Sequence, residues 1–323
     1  MIRIIVCLAL LVQVLPAQII PPPDAPRPAP TIAPPTVTGS VTGLVILIDF
    51  PDQVADIPQT DVDAFYNADN YIANGNNGSV HGYWQAVSQN RVNYHAVVTS
   101  LYYRAKNPYS YYDSLGHTGE LLDEALDWLD GTGFDFSTLT TDGSGVIKAL
   151  CFQYAGAVHS VGLKGLWGHS SWHSRDFDGV HTGPYQISEL GTTMKLGGIC
   201  HEIGHMLFSW PDLYDIDGSS NGCGLYCLMA FGNAGGVNPV PPNPFFRYLA
   251  GWTDMRDISN VASGSQITLA YNDLTPVVYR DPAHPGEMFI IEGRKNVNRS
   301  EALPGDGSGL IVWHVDSSVA NNT

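Results

Sequence analysis

The sequence predicts an α/β (α+β) fold built on a mixed, twisted sheet, and three observations point to it. Residues 44–50, apolar except for Asp49, form a run that stops at Pro51, the pattern of a strand buried on both faces. Residues 147–154 repeat that pattern as a second core strand. Residues 80–88, residues 119–129 and the stretch ending in His201-Glu202-Ile203-Gly204-His205 carry their apolar side chains at helical spacing.

The remaining elements follow in chain order. Arg3, the apolar run 4–11 and the Pro16-Ala17 exit give residues 1–17 the form of a signal peptide, too short to span a membrane. Residues 18–40 are dense in proline and predict an extended linker or a vestigial pro-segment without a core. In residues 178–188, Val180, Tyr185 and Ile187 are separated by small or polar residues, which predicts an exposed edge strand. A turn-rich stretch at 239–244, a short helix over 245–252 and strands around Ile267, Met288 and Leu310 complete the chain. Two catalytic subdomains are expected, 41–205 ending in the His201–His205 helix and 206–323 after it; further chain beyond Thr323 is compatible with the pattern.

His201 and His205 are four residues apart, so both imidazoles project from one helix face and can reach a single Zn2+ with Glu202 beside them. A catalytic zinc needs a third protein ligand and one open position. No glutamate occurs between His205 and Glu287, which leaves Asp212, Asp215 and Asp217 as the nearby acidic residues. Trp210-Pro211 breaks the helix and Asp212 is the first carboxylate after the break, making it the leading candidate for third ligand, with Asp215 as the alternative. Glu202 is the candidate general base. No Gly-x-Ser-x-Gly segment supports a nucleophilic serine.

Asp215, Asp217, Ser219 and Asn221 place oxygen side chains at alternate positions around Gly218. That spacing reads either as a Ca2+ loop, lacking a closing bidentate glutamate, or as a plain Asx-turn loop. With Cys7 in the signal peptide, Cys151, Cys200, Cys223 and Cys227 permit three disulfide pairings in an oxidising compartment. Free buried thiols are the alternative. His169, His173 and His181 are read as structural or cleft-lining.

The chain has 15 basic against 31 acidic residues, a formal net charge of −16 and 44% hydrophobic composition. Such acidity argues against nucleic acid and anionic membranes as partners and suits a secreted, extracellular protein without stable membrane insertion. A monomer acting on protein or peptide substrates is expected. The competing class is an extracellular binding module, which would have no use for Glu202.

The extended stretch His201-Glu-Ile-Gly-His205, followed by Pro211-Asp-Leu-Tyr-Asp215, resembles the zinc motif of the immune inhibitor A family of secreted metzincin-like zinc metalloendopeptidases. The resemblance continues in Gly43-Leu-Val-Ile-Leu-Ile-Asp-Phe-Pro-Asp52, Gly78-Ser-Val-His-Gly-Tyr-Trp-Gln-Ala-Val-Ser88, Leu166-Trp-Gly-His-Ser-Ser171, Cys227-Leu-Met-Ala230 and Leu303-Pro-Gly-Asp-Gly-Ser-Gly-Leu-Ile-Val-Trp-His-Val-Asp316. It implies a zincin-type fold, with an edge strand over the zinc helix that pairs with extended substrate, and a C-terminal subdomain carrying a Met-turn. Met229 would then form an apolar floor under the histidines, and a propeptide would precede the catalytic unit. A Cys200–Cys227 bridge is favoured, on the placement of the histidine helix and the Met-turn that the resemblance implies. Where metzincin motifs place a turning glycine, this chain has Phe208 followed by Ser209, which predicts a helix one residue longer.

Overall fold

The computed structural model describes residues 36–157, 165–215, 217–233, 236–272, 274–305 and 307–316. Residues 1–17, read from the sequence as a signal peptide, almost all of the proline-rich stretch and the last residues of the chain lie outside the described residues.

Strand β1 (Gly39–Asp49) is the spine of the main sheet. It pairs in parallel with β2 (Val92–Val98) and β3 (Tyr103–Arg104) on one side and with β4 (Leu150–Tyr154) on the other. Beyond β4 lies the parallel strand β8 (Pro184–Glu189), and β5 (His169–Trp172) closes the sheet antiparallel to β8. The sheet is therefore mixed. A small hairpin, β6 (Asp176–Phe177) with β7 (Val180–His181), lies in the sequence between β5 and β8.

The apolar run of β1 is continuous because helices cover both faces. Val41, Val45 and Leu47 enter one core cluster, shared with α1 (Gln59–Asn67), α2 (Val80–Val87) and α5 (Leu196–Phe208). Leu44, Ile46 and Ile48 point the opposite way, into a second cluster with α3 (Tyr109–Tyr112) and α4 (Thr118–Gly131). Ser79 starts α2 by accepting the Gly82 amide at 2.9 Å.

After α5 and α6 (Pro244–Leu249), a second sheet has the order β12 (Ser308–Asp316), β11 (Glu287–Lys295), β10 (Val277–Arg280), β9 (Arg256–Asp257). Its inner residues Val278, Ile290 and Trp313 belong to the same core cluster as α5, so residues on both sides of His205 share one core. A buried ionic network ties the pieces together. Glu292 of β11 accepts Arg247 of α6 at 2.5 Å, Arg294 at 3.0 Å and the Trp313 indole at 2.9 Å. Among the described residues, no helix is long and apolar enough to cross a membrane.

Three sequence-based expectations need correction. The strand expected over residues 178–188 is shorter, running from Pro184, and it is interior: Tyr185, Gln186, Ile187 and Ser188 are all buried between β4 and β5. Its polar residues mimic an exposed pattern, but they satisfy one another across strands. Gln153 Nε2 donates to Ser188 Oγ at 3.0 Å, and Ser188 Oγ donates to Gln186 Oε1 at 2.7 Å. The edge of the sheet is β5 instead. No strand forms at Ile267, where only an isolated bridge between Tyr271 and Gly293 follows. The helix expected over 245–252 stops at Leu249, since Gly251 turns the chain at φ +77°.

Candidate metal centre

Helix α5 is buried almost all round: Leu196, Ile199, Cys200, Ile203, Met206 and Leu207 all lie in the core cluster, which fixes the rotation of the helix. That rotation brings His201 and His205 into one partly enclosed site, each only 6% exposed. Gly204, between them, is required by packing. A Cβ there would lie 2.6 Å from the Met229 sulfur, so the fully buried methionine sits against the helix backbone next to both histidines.

The helix ends at Phe208 and the left-handed residue is Ser209, at φ 54° and ψ 29°. Its amide closes the turn on the His205 carbonyl at 3.0 Å. The turn is thus displaced along the chain, in keeping with the extra helical residue expected from Phe208, and serine tolerates a conformation that glycine would adopt more readily. Despite the displacement, Asp212 returns to the histidines. Its Oδ1 is 2.9 Å from His201 Nε2 and 3.0 Å from His205 Nε2, and the two Nε2 atoms are 3.1 Å apart.

The proton positions on the rings follow from their other nitrogens. His201 Nδ1 lies 2.9 Å from the Leu228 carbonyl and His205 Nδ1 lies 2.5 Å from the Trp210 carbonyl. A carbonyl can only accept, so each Nδ1 carries the proton and, in the neutral ring, each Nε2 presents a lone pair. Asp212 Oδ1 is buried and has no aligned hydrogen-bond donor, although both Nε2 atoms are close. Three acceptors therefore converge on one point.

Only a proton or a metal cation reconciles such a cluster. Zinc bonds of 2.0–2.1 Å at tetrahedral angles would set ligand atoms roughly 3.3 Å apart, close to the separations found. Two imidazoles with one carboxylate are the donor set of zinc and its transition-metal neighbours rather than of magnesium or calcium. Among the described residues, this is the one group of three histidine, cysteine or acidic side chains arranged to hold a metal ion.

The electrostatics agree. Burial opposes charge on both partners, yet His205 and His201 together hold Asp212 well below the ordinary carboxylate range. Burial also pulls His201 down, but the Asp212 contact, with the charges of Glu202 and Asp212, outweighs it and pushes the ring up to about 9. Glu202 is half-buried, follows His201 on the helix, and has no hydrogen bond or ion pair among the described residues.

Other residues singled out by the sequence lie elsewhere. Asp215 does not join the histidines. Its carboxylate accepts the Asp217 amide at 3.1 Å, the Ser219 hydroxyl at 3.0 Å and the Ser220 amide, while Asp217 accepts the Ser219 amide at 2.9 Å. Asn221 contributes its carbonyl to the Gly224 amide at 2.8 Å. His169 contacts Tyr185, His173 contacts Asp123 and His181 contacts Asp176, so each has a local partner. Cys151, Cys200, Cys223 and Cys227 are free thiols, so the favoured Cys200–Cys227 bridge is not formed; the Cys227 sulfur accepts the Asn243 amide at 3.3 Å.

Two features of the site escape sequence reasoning. The carbonyls of Leu228 and Trp210 orient the rings, and a main-chain acceptor has no signature in residue type. Glu189, at the end of β8, is a second carboxyl near Glu202: burial first, and then the Glu202 charge, raise its pKa. No protein-family model matches this chain, and no curated protein matches it in sequence.

Proposed function

We propose that this chain is a secreted zinc metalloendopeptidase of zincin type, as its resemblance to the immune inhibitor A family implies. The observation that carries this reading is the convergence of His201 Nε2, His205 Nε2 and Asp212 Oδ1, with Glu202 following His201 on the helix and making no hydrogen bond or ion pair among the described residues. A purely structural zinc site is usually closed by four protein ligands, whereas three leave room for water or substrate.

When bound, the metal supplies Lewis acidity that polarises the scissile carbonyl and makes a water molecule acidic enough to lose its proton near neutral pH. Glu202 accepts that proton and returns it to the leaving amine. The Leu228 and Trp210 carbonyls hold the two rings in the tautomer that the chemistry needs. Met229, buried against Gly204 of the histidine helix, takes the place of the apolar floor that the resemblance implies. Strand β5 is an edge strand of the sheet, the kind of element to which an extended peptide can add as a further strand.

Replacing Glu202 with Gln tests the reading. Glu202→Gln should retain one equivalent of zinc and the wild-type fold, while casein hydrolysis falls by about 10²–10⁴-fold, the range for loss of a general base. Wild-type turnover in Glu202→Gln would remove Glu202 from the mechanism. Zinc-loaded wild-type protein that cleaves nothing across a broad peptide library would favour a binding module.

A further inference from the structure

Trp210 stands between two of the three converging side chains, two residues before Asp212 and five after His205. Its carbonyl is the acceptor of the His205 Nδ1 proton at 2.5 Å. Its indole is 1% exposed and anchored on four sides. It stacks on Phe208 at 4.6 Å and 22° and on Phe246 at 5.3 Å and 10°, and meets Trp252 at 5.3 Å and Trp84 at 6.1 Å. These partners come from α5, α6, the segment after α6, and α2.

The backbone on either side has little freedom to adjust. Ser209 is already in the left-handed region, and Pro211 fixes its own φ and lacks an amide donor. The position of the indole therefore sets the direction of the Trp210 carbonyl and the point from which the chain carries Asp212 back to the histidines. The indole N–H has no partner among the described residues, so the ring serves by its shape and area.

We infer that Trp210 is a positioning residue for the metal centre: its aromatic seat aims its carbonyl at His205 and delivers Asp212, so the packing of one side chain fixes two of the three metal-binding groups. The inference rests on the zinc reading above. It differs from ordinary core packing in its consequence, because a neighbour in the same cluster should not share it. Trp252 is that neighbour. It packs on Phe208 and Trp210, but its own indole donates to the Val37 carbonyl at 2.9 Å, and among the described residues its ring contacts and hydrogen bond include none of His201, His205 and Asp212.

Trp210→Phe and Trp252→Phe, each in the full chain, separate the two roles. Phe at 210 removes ring area without removing a hydrogen bond. Zn2+ affinity, measured by competition with a chromophoric chelator, should fall by about 10- to 100-fold in Trp210→Phe, the range typical of groups that orient metal ligands. The visible absorption bands of the Co2+-substituted protein should shift as well. Trp252→Phe should lower the melting temperature by at least as much while leaving Zn2+ affinity and the Co2+ spectrum at wild-type values. Wild-type affinity and spectrum in Trp210→Phe would overturn the inference, as would equal loosening in both variants. Wild-type protein that binds no Zn2+ would sink it together with the functional reading. Wild-type protein that binds Zn2+ but hydrolyses nothing would sink only the latter if the Trp210→Phe shifts still appear.

Discussion

Two neighbouring segments, residues 210–212 and residues 215–221, both follow the histidine helix, and both are acidic. Asp212 is turned inward against the Nε2 atoms of two rings whose Nδ1 atoms already give their protons to carbonyls, so its buried oxygen meets acceptors. Asp215 is turned into its own loop, where two amides and a hydroxyl donate to it. The same side chain, three residues later, is satisfied locally. What separates a carboxylate placed to hold a metal ion from a turn-forming one here is the polarity of its surroundings: converging acceptors suit a cation, and converging amide donors do not.

The largest expected effect tests that contrast directly. Asp212→Ala should lose zinc by more than the 10- to 100-fold that changes in orienting groups produce, because a direct ligand is gone. Asp215→Ala should keep close to one equivalent. Metal analysis after passage through a chelator column measures both. Full zinc in Asp212→Ala with loss in Asp215→Ala would invert the assignment.

The contrast was only half visible in the sequence. The spacing of His201, Glu202 and His205 needs nothing beyond helix geometry, and Asp212 follows from being the first carboxylate past Pro211. Which of Asp212 and Asp215 turns inward depends on Ser209 adopting a left-handed conformation, and serine at that place gives weaker notice than glycine would. The interior strand β8 was mistaken for an edge because Gln186 and Ser188 look solvent-facing until Gln153 is brought beside them by the fold. Strand β1 shows the opposite case. Its apolar side chains are buried on both faces, so composition alone announces it. Residue type reports burial well when the buried surface is apolar and poorly when buried polar side chains hydrogen-bond to one another.

A smaller effect should appear in the pH dependence of the metal-free protein. The folded pKa of His201, about 9, lies above the ordinary histidine value of 6.5. The folded state therefore binds a proton that the unfolded state has released between those values. The stabilisation is fully present below about pH 6.5 and is lost as pH rises through 9. Thermal melts in chelator should show stability falling across that window, and His201→Gln should flatten this component. Zinc competes with the same proton, so zinc affinity should rise over the window while the loaded protein loses the downward trend. A metal-free stability profile with the same slope in wild type and His201→Gln would remove Asp212 as the partner that retains the proton.

The smallest effect belongs to the second segment. Because Asp215 is only partly buried, water can satisfy the donors that its carboxylate leaves behind, and Asp215→Ala should lower the melting temperature by no more than a few degrees. Ca2+ sharpens the point. If the loop is held by its own amides, millimolar Ca2+ should leave the melting temperature of zinc-loaded wild type and Asp215→Ala equally unchanged relative to Mg2+. A Ca2+-specific rise in wild type that Asp215→Ala abolishes would mean that the carboxylates of Asp215 and Asp217 bind a cation while still accepting their amides. The two acidic segments would then differ in which metal they prefer, nitrogen-rich against oxygen-only, rather than in whether they bind one.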